Sequence, residues 1–125
     1  MTEHQQARIC GRIKAFRYAI RGIGLLLTHH VHGRIHAVAA VLTILLGAWF
    51  RIERAEWMAV ALSIGLVLAA EAINSALEEL ADALHPGHHP AIGRAKDLAA
   101  GGVLAASIAA AAVGGLVFVP RLLAL

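Results

Sequence analysis

The chain has 125 residues, 59% of them hydrophobic and only 15% charged. Soluble domains average about 45–50% apolar and about 25% charged, so the composition points to an integral membrane protein, read as one membrane-embedded domain over residues 1–125. The formal charge of +3 is too small and too scattered for nucleic-acid binding, and the single cysteine, Cys10, excludes an intrachain disulfide.

Residues 8–28, RICGRIKAFRYAIRGIGLLLT, alternate cations with apolar residues at helical spacing. Ile9, Ile13, Phe16, Ile20 and Ile23 form one stripe, and Arg8, Arg12, Lys14, Arg17 and Arg21 fill much of the rest. That pattern predicts an amphipathic helix lying on an anionic membrane face, with a solvated helix packed on its own protein as the alternative. The interrupting cations are not those of a signal peptide.

Residues 35–50, IHAVAAVLTILLGAWF, are the first expected span. They are short for about 30 Å of hydrocarbon, a deficit that snorkelling Arg34 and Arg51 and interfacial Trp49 would cover. RIERAE, residues 51–56, reads as a tight charged turn, and the second span runs over about 57–80. Residues 81–97, ADALHPGHHPAIGRAKD, are expected as the one real loop, with Pro86, Gly87 and Pro90 as breakers. The third span covers 98–119, closed by Pro120 and Arg121; its AAGG and AVGG stretches would allow close helix packing in lipid. Six Lys and Arg lie in the segment through Arg34, and Arg94 and Lys96 lie in the loop, which puts both on the cytosolic side.

Glu71, Asn74, Ser75 and Glu78 follow i, i+3, i+4, i+7 spacing in the second span, so they share one helix face. A charged side chain at membrane depth costs about 2.5–3.5 kcal/mol on insertion scales and usually marks a site or a pathway. Burial would raise the pKa of Glu71 towards that of a general base, although a carboxylate bonded to a neighbouring helix is the structural reading. Glu78, two turns on, reaches headgroup depth, where it would hold a Mg²⁺ that also binds phosphates or simply be solvated. Asn74 would orient Glu71 or a substrate hydroxyl, or bond between helices. Glu79 and Asp82 read as solvated. Arg94, Lys96 and Asp97 stand where the third helix should start and favour phosphate there, with Asp97 as a candidate N-cap. The eight histidines include His29, His30, His32 and His36 before the first span, spaced for a metal but without a clear Cys or carboxylate partner.

FRYAIRGI, GRIH, the EW opening the second span, LVLAAEAINSALEELAD and GRAKDLAAGGVL together carry a resemblance. The chain resembles the small integral-membrane lipid kinases of bacteria, the diacylglycerol kinase and undecaprenol kinase family, over nearly all of residues 12–120. The resemblance implies an all-α membrane protein with an N-terminal surface helix and three spans, assembled as a homotrimer with active sites between protomers. It implies transfer of the γ-phosphoryl group of Mg·ATP to a lipid hydroxyl at the cytosolic face of the plasma (inner) membrane. Glu71 would be the base, Asn74 its support and Glu78 a magnesium ligand. Lys96, Asp97, His89, Gly87 and His88 would meet ATP, and Lys14 and Tyr18 would line the nucleotide or headgroup region. One departure stands out: where the family has a second metal-ligating glutamate, this chain has His30. Imidazole suits Mg²⁺ poorly, so His30 either leaves the work to Glu78 and phosphate, recruits Mn²⁺ or Zn²⁺, or weakens activity. Diacylglycerol is the first expected acceptor and undecaprenol the alternative. A small transporter subunit and a non-catalytic adaptor are the rivals from other classes.

Overall fold

The computed structural model describes residues 3–124, with side chains described from Lys14 onward, so Ile9, Cys10 and Ile13 lie outside the described side chains. It is all helical: α1 Glu3–His29, α2 Val31–Phe50, α3 Arg54–Leu84 and α4 Pro90–Leu123. The last three are long and apolar enough to cross a membrane, as expected.

Each boundary has a local cause. α1 and α2 are separated only by His30, whose extended backbone (φ −104°, ψ 120°) breaks the helical run. α2 stops at Arg51, which takes a left-handed φ of 51° and returns its N–H to the Ala48 carbonyl. Glycine is the usual residue in that conformation. Arg54 is already helical, so the turn is shorter than RIERAE suggested: Glu53 is the N-cap and forms a capping box with Glu56, whose Oε2 accepts from the Glu53 N–H at 2.8 Å.

The expected loop over 81–97 is corrected to five residues, since α3 continues to Leu84 and α4 begins at Pro90. Proline is a helix starter when it occupies the first turn, where its missing N–H would be unpaired anyway. His89 caps that start, its Nδ1 accepting from the Ala91 N–H at 3.2 Å. Asp97 is therefore a residue of the second helical turn and not an N-cap. At the other end α4 runs through Pro120 to Leu123 rather than closing there. The Arg121 guanidinium donates to the Val117 carbonyl at 2.6 Å, beside the Leu116 carbonyl whose helical donor proline removes.

α3 and α4 form an antiparallel hairpin, and α2 leans on α3 chiefly near the turn that joins them. There Ile52, Val60 and Val117 are buried under Phe50, Trp57 and Phe118, with the Phe50 and Phe118 rings 6.4 Å apart. Among the described residues few other apolar side chains are buried, whereas Leu62, Leu66, Leu104, Ile108 and Leu116 stand exposed on the outside of the hairpin. Such a surface is compatible with lipid or other apolar partners and costly in water. In α1, Phe16, Ile20 and Ile23 are exposed, as are Lys14, Arg17 and Arg21, so the described part of the expected stripe does not pack on its own chain.

Close helix approach occurs at glycines other than those singled out by composition. A Cβ on Gly33 would lie 2.5 Å from the Leu26 carbonyl oxygen, and one on Gly47 would lie 2.8 Å from the Trp57 ring. Around Gly101, Gly102, Gly114 and Gly115 the space within the chain is open to 4 Å. The AAGG and AVGG stretches therefore do not serve close packing inside the chain.

Away from the loop end, Arg121 makes a two-pronged ion pair with Glu56, Nη1 to Oε1 at 2.9 Å and Nη2 to Oε2 at 2.7 Å, which ties the start of α3 to the end of α4. Both side chains are half-buried, so solvent screens the pair only in part. Arg121→Ala should lower the thermal midpoint in detergent clearly more than Leu122→Ala, a truncation of its exposed neighbour. Equal midpoints would show that the pair contributes nothing to the hairpin.

Candidate functional site

The five buried residues of α3, Val60, Val67, Glu71, Asn74 and Ser75, fall on one helical stripe. It is apolar towards the α2–α3 turn and polar towards the α3–α4 loop. Glu71 is 3% exposed, Ser75 4% and Asn74 8%. Two i, i+4 hydrogen bonds order the polar half: Ser75 Oγ donates to Glu71 Oε1 at 3.4 Å, and Asn74 Nδ2 donates to Glu78 Oε1 at 3.2 Å. Asn74 thus serves Glu78 and not Glu71, whose side-chain partner is Ser75.

The carboxylate of Glu78 can only accept, which fixes the Asn74 amide with its NH₂ group towards Glu78. Its Oδ1 is left buried without a hydrogen-bond partner. A buried acceptor without a donor costs about 1–3 kcal/mol, and native structures retain few of them. Here it stands between two glutamates on the stripe, where a ligand's hydroxyl, water or cation can satisfy it.

The other expected site residues are gathered less completely. His30 Nε2 lies 3.0 Å from Glu79 Oε1, so the histidine from the α1–α2 break reaches the carboxylate next to Glu78 rather than Glu78 itself. Among the described residues no group of three His, Cys, Asp or Glu side chains is placed to hold a metal. Lys96 Nζ lies 2.5 Å from Asp82 Oδ1, an ion pair across the α3–α4 loop between partly and largely exposed groups. Gly87 and His89 share that loop, in which His85 Nδ1 donates to the Gly87 carbonyl at 3.1 Å and the His85 and His89 rings meet edge to face. His88 and Asp97 are exposed, as are Lys14 and Tyr18 on α1.

The partners that sequence reasoning missed are Glu79 and Asp82, both read as solvated. Each is exposed, 68% at the side chain, and each is nonetheless engaged by a cation-capable side chain from another element. Ser75 was placed on the right face, and its i, i+4 spacing to Glu71 was signal enough for the bond it makes.

Fold and site define a small helical membrane protein with a buried carboxylate stripe near one end of its spans. The sequence profile of the prokaryotic diacylglycerol kinase family matches residues 17–118, and the chain belongs to that family. It is 34% identical over 109 residues to an undecaprenol kinase of Bacillus subtilis, covering 87% of this chain and 89% of that protein. It is 37% identical over 112 residues to a diacylglycerol kinase of Synechocystis, of whose length it spans 64%. A diacylglycerol kinase of Escherichia coli is 31% identical over 98 residues, which cover 78% of this chain and 80% of that protein. The relatives' activities make the family one of lipid kinases, so the transporter reading loses its support.

Proposed function

We propose that the protein transfers the γ-phosphoryl group of ATP to the hydroxyl of a membrane lipid alcohol, with diacylglycerol as acceptor and phosphatidic acid as product. The observation that carries this reading is the buried Glu71 carboxylate on a polar stripe in a chain of a lipid kinase family. The site works at the cytosolic face of the bacterial plasma membrane, where the cations of α1 and of the first turns of α4 lie under the positive-inside rule.

The chemistry asks little covalent work of the protein. The lipid oxygen forms a bond to the γ-phosphorus, the bond from that phosphorus to the bridging oxygen breaks, and ADP leaves. Such transfers depend on alignment and charge neutralisation. Glu71 accepts the hydroxyl proton, with Ser75 steadying the carboxylate through Oε1. The free Oδ1 of Asn74 is an acceptor for the incoming hydroxyl or for a water at the ion. Mg²⁺ prefers oxygen donors. Glu78 and Asn74 offer oxygen, so the residues present fit the ion and would hold it. When bound, it neutralises phosphate charge. His30 would have to leave Glu79 to act as a ligand, for Mn²⁺ or Zn²⁺ as much as for Mg²⁺. Lys96, Asp97, Gly87, His88 and His89 face the nucleotide, with Lys14 and Tyr18 above it on α1.

The protein works as a homotrimer in this reading. The exposed apolar faces of α3 and α4, and the exposure of Lys14 and Tyr18, support sites completed by a neighbouring copy.

Radiolabelled phosphate transfer from Mg·ATP in mixed micelles, to diacylglycerol and undecaprenol side by side, tests the function. Label in diacylglycerol is the expected result. Undecaprenol is the second reading, favoured by the match to the Bacillus subtilis undecaprenol kinase across 89% of that protein. No label in either, from folded protein and with Mn²⁺ also tried, would leave a non-catalytic adaptor. His30→Glu should raise Mg²⁺-supported turnover by adding an oxygen ligand beside Glu79. A drop would show that the His30–Glu79 bond, not a missing ligand, is what that position supplies.

A further inference from the structure

The five-residue loop between α3 and α4 holds two imidazole rings in contact. His85 closes α3 and His89 opens α4, and their ring centroids lie 5.3 Å apart, edge to face. Both side chains are exposed, so each exchanges protons directly with water.

Their hydrogen bonds fix which nitrogen of each ring carries a proton. His85 Nδ1 stands 3.1 Å from the Gly87 carbonyl, which can only accept, so this nitrogen is the protonated one. His89 Nδ1 stands 3.2 Å from the Ala91 N–H, which can only donate, so this nitrogen is bare and the proton is on Nε2. Both nitrogens of an imidazolium are donors. The His85 bond therefore survives protonation of its ring, and the His89 bond exists only while its ring is neutral.

The helix ends sharpen the difference. A cation is favoured at a helix C-terminus and disfavoured at an N-terminus. His85 is the C-cap of α3 and His89 the N-cap of α4. A proton taken by His85 breaks nothing. A proton taken by His89 removes the acceptor of the α4 cap and sets a cation at the wrong helix end. Of the other charged or titratable groups of the hairpin end, Asp82 on α3 is paired with Lys96 on α4, and His88 and Arg94 are exposed. Among the described residues no carboxylate stands at ion-pair distance from His89, so nothing offsets its charge.

The cap has little to replace it. Pro90 has no N–H, so the Ala91 N–H is the first that α4 offers, and the helix proper begins with the Gly93 N–H bonding to the His89 carbonyl at 3.0 Å. Without Nδ1 as acceptor the first turn frays. Lys96 and Asp97 lie on the next turn, so where they stand depends on where α4 starts.

We infer that His89 is a positioning residue: its neutral ring caps α4 and so sets Lys96 and Asp97 for the nucleotide, and its protonation in mildly acidic water releases them. The nucleotide part rests on the lipid kinase reading, while the cap and its release stand without it. Histidine is the side chain that changes charge between pH 5 and 8, so nucleotide affinity should fall as pH falls through that range.

Three measurements at about pH 8 and about pH 5.5, near the two ends of that range, test the inference. Imidazole nitrogen NMR of the wild type in detergent micelles should find the proton of His89 on Nε2 and that of His85 on Nδ1 at the higher pH. Hydrogen exchange of the residue 91–93 amides, divided by the unfolded-peptide rate at each pH, should show wild-type protection falling about fivefold at the lower pH, the scale of a lost N-cap. His89→Asn keeps a capping oxygen that does not titrate, so its protection should hold, and His89→Ala should be poorly protected at both values. The KM for ATP should rise about fivefold from the higher to the lower pH in the wild type relative to His89→Asn, the same cap read through the nucleotide. The titration of ATP itself is common to both proteins and cancels.

A direct contact between His89 and phosphate has the opposite sign: an imidazolium there binds the anion more tightly, and KM would fall with pH. That result would overturn the inference. So would a proton on His89 Nδ1 at the higher pH, equal pH dependence in the wild type and His89→Asn, or a loss of protection with no change in KM. The tautomers and the wild-type exchange need no variant, so they decide the cap even if His89→Asn fails to fold. Absence of transfer by the wild type to any lipid at either pH would remove the kinase reading and the positioning role with it, whereas the cap is read without turnover.

Discussion

Glu71→Gln should reduce phosphoryl transfer by about 10²–10⁴-fold, the usual contribution of a positioned general base, while ATP binding stays near the wild-type level. The substitution keeps size and hydrogen-bonding capacity, so Ser75 Oγ can still donate to the side-chain oxygen that replaces Glu71 Oε1. What it removes is the capacity to take a proton. At 3% exposure the carboxylate cannot be replaced by bulk water. Turnover and nucleotide binding should therefore separate, with kcat falling and the ATP dissociation constant holding. Parallel loss of both would mean that the carboxylate organises the nucleotide site, and wild-type turnover would eliminate the base. Ser75→Ala provides the scale, since it leaves the proton acceptor in place and removes only a 3.4 Å hydrogen bond. Its effect should be much smaller than that of Glu71→Gln.

The polar stripe was legible in the sequence because it depends on helical periodicity alone. Glu71, Asn74, Ser75 and Glu78 needed only the 3.6-residue repeat to fall on one face, and their i, i+4 bonds follow from the same repeat. The three apolar helices were legible for a similar reason, since length and composition suffice to find them. What the sequence did not show depends on contacts between distant segments. His30 and Glu79 are 49 positions apart, and Glu56 and Arg121 are 65 apart. No local pattern pairs them until the α1–α2 break and the α3–α4 hairpin exist. The loop was drawn too long because Pro90 admits two readings: proline ends a helix that precedes it and starts one that follows. The cap that decides between them is a histidine ring, outside the usual set of Ser, Thr, Asp and Asn. Small residues within the chain are hard to read for a related reason. Composition shows where glycine is frequent, while the position at which a Cβ would collide depends on which neighbour approaches.

That distinction gives the second large effect. Gly33→Ala should destabilise the protein by about 1–3 kcal/mol, the typical cost of overpacking a close contact. The added Cβ would stand 2.5 Å from the Leu26 carbonyl oxygen and 2.8 Å from that residue's side chain. A side chain can change rotamer, but a backbone carbonyl moves only with its helix, so α1 must shift against α2. Leu26, 7% exposed, is the one buried side chain among those described on α1, and His30, which reaches Glu79, lies between the two helices. The shift should therefore be felt at the His30–Glu79 contact as well as in the thermal midpoint. Gly22→Ala and Gly24→Ala are the opposite case within α1, because open space surrounds both positions. Alanine there should be neutral or stabilising by up to about 0.5–1 kcal/mol, the usual cost of glycine inside a helix. Unfolding in detergent, followed by the midpoints of the three variants, reads the sign directly. A Gly33→Ala midpoint at or above those of Gly22→Ala and Gly24→Ala would mean that α1 has room to move, and that its docking on α2 is not set by the missing side chain at Gly33.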